Sequence, residues 1–199
     1  MLQAIKVILV VAIVAGALGC NRGPERQDSG AARVVDSFVP REVALRRFQG
    51  NLTSVAQLES AFLSRDSLLA AFVRALSARD TAALARMAVS RAEFAYLYYP
   101  STPQGMPPYD LEPGLMWHLM RERSERGIRR ALSAYGGQRL QVLGHDCGPG
   151  SSKEGRNIVV GPCTVRLRDE RGETVSVQLM TQILERDGRY KILNYANSL

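Results

Sequence analysis

The chain has 199 residues, 46% of them hydrophobic, and a formal charge of +7. That length and apolar content suffice for one domain of ordinary size with a sizeable core. Of its 26 basic residues, 23 are arginines and three are lysines, spread along the sequence among 19 acids; a nucleic-acid binder gathers such charge on one face or tail, so that class is excluded and the arginines read as solvated surface.

The first segment carries one basic residue, Lys6, and then an apolar run from Val7 to Leu18. A spanning helix needs about 20 apolar residues; this shorter run with a charged lead-in has the form of a secretory signal. It ends in Ala17-Leu18-Gly19-Cys20, which resembles the lipobox of bacterial lipoproteins. Leu18 stands where that box prefers Ala or Ser, and Ala17 where it prefers Leu. The resemblance implies cleavage between Gly19 and Cys20, lipidation of the Cys20 thiol and acylation of the new N-terminus. Asn21, in place of an aspartate, resembles lipoproteins sent to the outer membrane, where the domain would face the periplasm. The expected organisation is a signal peptide at 1–19, a flexible tether at 20–33 and a single domain at 34–199. Only Lys6 is lost as charge, leaving +6 on the mature chain. The tether mixes Gly, Pro and charge without periodicity and gives the domain a reach of about 20 Å.

From Val34 the apolar signal returns. Pro40 opens a short helix through Phe48, stopped by Gly50-Asn51. Thr53 to Ser77 reads as helix in one or two pieces, with Val55, Leu58 and Phe62 on one stripe and Leu69, Phe72, Val73 and Leu76 repeating the helical spacing. Asp66 and Ser67 are candidate caps between the pieces. Asp80 is a strong N-cap for a helix from Thr81 to Met87. Ser90-Arg91-Ala92-Glu93 has the capping-box spacing and starts a helix that runs to Tyr98 until Pro100 prevents continuation. Pro100 to Asp110 holds four prolines and reads as an ordered loop. Pro113 suits the first turn of a long helix, interrupted at Gly127 and stopped by Gly136-Gly137.

After Gly137 the apolar period changes from the helical value to two. Leu140 and Val142 open a strand ending near Cys147, followed by a polar turn from Gly148 to Arg156. Cys163, Val165 and Leu167 alternate in a second strand, Val175 to Ile183 in a long third, and Tyr190 to Ala196 in a fourth. Helices first and an antiparallel meander afterwards make an α+β domain, its N-terminal helices packed on a curved antiparallel sheet of about four strands. With Cys20 assigned to lipid, Cys147 and Cys163 form an even pair in an exported chain, so a disulfide is the expectation, contributing about 3 kcal/mol in the loop-entropy model. His145-Asp146-Cys147 supplies three metal-ligand types in a row, but neighbours in an extended segment point alternately. No metal and no cofactor is expected.

The run Phe72-Val73-Arg74-Ala75-Leu76-Ser77-Ala78-Arg79-Asp80-Thr81-Ala82-Ala83-Leu84 and the closing segment Ile183-Leu184-Glu185-Arg186-Asp187-Gly188-Arg189-Tyr190-Lys191-Ile192-Leu193 resemble the NTF2-like (SnoaL-like, cystatin-like) superfamily. The first has that family's apolar helix, short aspartate corner and second helix; the second has its last hairpin. The resemblance implies a cone between sheet and helices over residues 53–199. It implies no single function, since one scaffold hosts many roles. Family enzymes place an acid or histidine, often with a tyrosine, inside the cone, and no catalytic position carries over residue by residue. The candidate pocket residues are Tyr96, Tyr98, Tyr99, Trp117, His118, Asn194 and Tyr195, the polar or aromatic groups on otherwise apolar faces. The leading expectation is a lipid-anchored, non-enzymatic envelope protein that holds an unidentified protein or small molecule. The alternative is a small-molecule isomerase or hydratase using a pocket acid or histidine. Thr164, Arg166, Arg168, Thr174, Ser176 and Gln178 make one sheet face polar, which suits a wet homodimer contact.

Overall fold

The structure, a computed structural model, describes residues 39–196. The expected signal peptide, the Cys20 lipidation site and the tether lie outside the described residues. Helix α1 spans Arg41–Gln49, α2 Arg65–Ser77, α3 Thr81–Met87 and α4 Arg91–Glu93. The last continues as a π-helical turn, Phe94–Tyr98, and a 3-10 turn, Tyr99–Ser101. Helix α5, Pro113–Tyr135, is the longest. Six antiparallel strands follow: β1 Gln141–Cys147, β2 Ser151–Glu154, β3 Asn157–Val160, β4 Cys163–Arg168, β5 Thr174–Arg186 and β6 Arg189–Tyr195. The domain is therefore α+β. No helix among the described residues is long and apolar enough to cross a membrane.

The helix starts follow local capping chemistry. Asp80 Oδ1 accepts the Ala83 amide at 2.8 Å, and Ser90 and Glu93 close a reciprocal capping box, each satisfying amides that a helix start leaves unpaired. The Thr53–Ser77 expectation is corrected in its first half. Only Arg65–Ser77 is helical, capped by Ser64 with Ser67. The chain before it buries Leu58 completely and pairs Phe62 with Tyr190 through two backbone hydrogen bonds of 2.8 and 3.1 Å. Val89 adds a third bond to the same strand, its amide donating to the Ile192 carbonyl at 3.0 Å. These segments cover the outer edge of β6, which would otherwise expose unpaired backbone groups. That tertiary pairing outcompetes a weakly amphipathic helix.

Helix α5 is not interrupted at Gly127. It runs unbroken because the glycine serves packing: a Cβ there would lie 2.6 Å from the Ala196 carbonyl oxygen and 2.7 Å from Tyr195 Cβ. The end of β6 passes directly over that bare backbone.

The strand count is six where about four were expected. Strands β3 and β4 lie end to end along one edge of β5, with Val160 opposite Ile183 and Cys163 opposite Met180. Strands β2 and β1 flank them in the same way, with Ser151 opposite Val160 and Cys147 opposite Cys163. Gly148-Pro149-Gly150 and Gly161-Pro162 interrupt both lines at the same level, because proline has no N–H for the ladder. Gly161 has a φ of 151°, and a Cβ there would meet the Thr181 carbonyl oxygen at 2.1 Å. Strand β6 pairs with the other edge of β5, through irregularities around Thr181 and Leu193.

Two hydrophobic clusters result. One gathers Phe72 and Leu76 of α2 with Val165, Leu179 and Ile183. The other gathers Phe94, Leu97, Met116 and Met120 with Val159 and Leu184. Ile183 and Leu184 are consecutive in one strand and so point to opposite faces. Both faces of this end of the sheet are covered.

Candidate functional site

Trp117, Met120, Ser124 and Ile128 recur on α5 at the spacing of one helical face. That face looks across a groove of about 270 Å³ at the corner between α3 and α4, with Leu193 of β6 as its floor. The indole of Trp117 packs on Phe94 with ring centroids 5.4 Å apart. Phe94 in turn meets Phe48 of α1 edge-on at 5.6 Å. Two arginines, Arg91 and Arg121, are among the residues that line the groove. Arg121 donates to Glu125 Oε1 at 2.7 Å, whereas the guanidinium carbon of Arg91 sits over the Phe48 ring, 4.6 Å from its centroid, a cation–π contact.

On the far side of the Ala88–Ser90 connector is a second cleft of about 330 Å³, lined by Glu59, Arg86, Glu93 and Lys191. Glu93 is fully buried and Lys191 is 4% exposed. Lys191 Nζ donates to Glu93 Oε2 at 2.8 Å. The Ser90 amide donates to the same oxygen at 2.6 Å, and the Glu59 amide to Oε1 at 2.7 Å. A buried charge is tolerated only when paired and hydrogen-bonded in this way. The carboxylate therefore ties three segments together: the turn at Glu59, the helix start at Ser90 and strand β6.

The expected pocket residues do not share one cavity. Trp117 lines the apolar groove. Asn194 and Tyr195 border a polar cavity of about 490 Å³ beside Gln178, Gln182 and Arg123; the Asn194 amide donates to Gln182 Oε1 at 2.7 Å, and the Tyr195 hydroxyl to the Leu84 carbonyl at 2.6 Å. Tyr99 borders a cavity of about 300 Å³ next to Arg41, its ring under the Arg41 guanidinium at 5.2 Å and its hydroxyl donating to the Leu111 carbonyl at 2.8 Å. Tyr96 donates to the Leu52 carbonyl at 3.2 Å. Tyr98 is buried, with its hydroxyl 3.3 Å from Thr102 Oγ1. His118 is an exposed side chain 3.8 Å from Glu122. The tyrosines thus act mainly as struts that satisfy distant carbonyls.

His145, the other histidine, lies 3.3 Å from Asp66 in a polar cleft beside Cys147. Cys147 and Cys163 are joined sulfur to sulfur at 2.06 Å, as expected from the sequence, so the Cys147 sulfur is not available as a ligand. No group of three or more His, Cys, Asp or Glu side chains able to hold a metal ion occurs among the described residues.

Burial pushes the Tyr98 hydroxyl up to about 12, with the nearby Glu154 carboxylate adding to the shift and Thr102 opposing it. Burial also raises Tyr195 well above the ordinary phenol range. Both stay protonated in the folded chain at pH values where the unfolded chain has lost those protons, above about 10. The unfolded state then binds fewer protons, so stability falls as pH rises. Each tyrosine is expected to remove about 1.4 kcal/mol per pH unit in that range. Urea midpoints at about pH 9 and about pH 11 check this; equal midpoints would contradict it.

Sequence reasoning found Trp117 and the Ser90–Glu93 cap but not the ion pair or the groove. The available signal was Lys191, a charged residue within the apolar closing strand Tyr190 to Leu193. No family model, curated protein or solved structure matches this chain.

Proposed function

We propose that this chain is a lipid-anchored protein of the cell envelope, held through Cys20 at the outer membrane, whose domain is a non-catalytic binding module. The signal-like opening and Ala17-Leu18-Gly19-Cys20 support export and anchoring, and more than one acyl chain would make the attachment durable. The order of helices before an antiparallel sheet supports the NTF2-like resemblance, with the cone as its finer expectation. The observation that carries the binding function is the α5 groove, an apolar slot lined by Trp117, Met120, Ile128 and Leu193 with Arg91 and Arg121 among its residues. Such concave, mostly apolar sites with few polar groups are where small ligands are held.

A non-catalytic role is favoured by the chemistry next to the groove. Both oxygens of Glu93 are engaged by Lys191, Ser90 and Glu59, and His118 faces solvent. Acid–base work needs a group free to move a proton at the reacting atom.

The chain contains one tryptophan, Trp117, so its emission reports on the groove without labelling. Titration with apolar amphiphiles is expected to shift that emission to shorter wavelength. Emission that stays fixed, together with a native mass free of any co-purified ligand, would overturn the binding reading. Cys20→Ser is expected to leave the precursor uncleaved, and normal membrane retention of that variant would overturn the anchor.

A further inference from the structure

Resting on that reading of the groove, we infer that its ligand is a medium-chain fatty acid anion, with the alkyl chain along Trp117, Met120 and Ile128 and the carboxylate on Arg91. The volume of about 270 Å³ falls just below the usual range of small-molecule sites. It suits a single alkyl chain of modest length and not a two-chain lipid.

The charge at the groove is unequal in a way that selects a head group. Glu125 is neutralised by Arg121 at 2.7 Å. Arg91 is exposed and has no carboxylate partner among the described residues. Its guanidinium carbon lies over the Phe48 ring, 4.6 Å from the centroid. A cation–π contact uses none of the guanidinium N–H donors, so they remain available to a planar carboxylate, which an arginine fork can receive through two parallel hydrogen bonds. An apolar slot with one arginine fork that no carboxylate compensates fits an amphiphile with a flat anionic head. A neutral chain would fill the slot and leave the fork unused.

The test titrates the full chain, reconstituted in phosphatidylcholine vesicles, with decanoate and with decanol. Both titrations are corrected for partition into protein-free vesicles and read by Trp117 emission. Decanoate is expected to bind at least about tenfold more tightly than decanol, the scale of a charge-assisted hydrogen-bonded pair. Arg91→Gln is expected to abolish that advantage while leaving decanol affinity unchanged, and Arg91→Lys to restore only part of it, because an ammonium lacks the planar fork. Equal affinity for the two ligands, unaffected by Arg91→Gln, would overturn the fatty-acid assignment and leave the apolar groove standing. A decanoate preference that survives Arg91→Gln would place the head elsewhere and overturn the role of Arg91. Silence with both ligands would count against the groove itself.

Discussion

Replacing Lys191 with methionine is expected to cost the domain about 3–5 kcal/mol, because it leaves an uncompensated charge in the interior. The methionine matches most of the lysine stem, so the loss is electrostatic and not a cavity. Glu93 has no exposure to water, and without Nζ its carboxylate keeps only the Ser90 and Glu59 amides. Adding Glu93→Gln to Lys191→Met is expected to recover most of that cost. The neutral side-chain oxygen can still accept a backbone amide, and replacement of both members of a buried pair is often close to neutral. Denaturant midpoints of the wild type, the two single variants and the double variant measure the coupling directly. If Lys191→Met shifted the midpoint no more than a typical surface substitution, within about 0.5 kcal/mol, the pair would not be the tie described here.

Removing the disulfide with Cys147→Ala and Cys163→Ala together is expected to cost about 3 kcal/mol, from the entropy of a closed loop of this length. The bonded residues are 16 apart in sequence and directly opposite each other where β1 meets β4. Their position adds a local effect. Immediately beyond them the Gly148-Pro149-Gly150 and Gly161-Pro162 breaks reduce the ladder to two backbone bonds, Gly148 to Pro162 and Gly161 to Gly150, each of 3.1 Å. Amide exchange of β1 and the adjoining end of β4 is therefore expected to accelerate more than that of β5 and β6. Wild-type protein in reductant should reproduce the lowered midpoint. Identical midpoints with and without reductant would show that the bond contributes nothing.

Much of the helical part was legible because its signals are local. Asp80 and Ser90 announce their helices within three residues, and Pro113 and Gly136 mark the ends of α5. The change of period at Gly137 marks the start of the sheet for the same reason. Thr53 to Ser64 misled because its apolar spacing fits a helix, while its partner, Tyr190 of β6, lies far along the chain. The two extra strands, Ser151–Glu154 and Asn157–Val160, were missed because Gly148 to Arg156 reads as one polar turn and no element was expected between it and the strand at Cys163. The pair is bounded by Gly148–Gly150 and Gly161–Pro162, which in the structure are interruptions within longer lines of pairing, held by neighbours on β5. Gly127 read as a helix break for want of any local sign that Tyr195 and Ala196 pass over it.

The site was less legible. Of the expected pocket residues, Trp117 lies in the groove, Asn194 and Tyr195 border a different cavity, and the hydroxyls of Tyr96 and Tyr99 serve distant carbonyls. Spacing along α5 identifies which side chains share a face, but it carries no information about what that face opposes.

By itself the sequence determined the order of helices before strands, the caps and the cysteine pair, since each depends on residue types close together in the chain. Only the tertiary structure decided that Glu93 and Lys191, 98 residues apart, would meet without water, and that Arg91 would lie on Phe48 at the edge of an apolar groove. Burial and cavities arise from contacts between distant segments, and no local pattern encodes which segments those are.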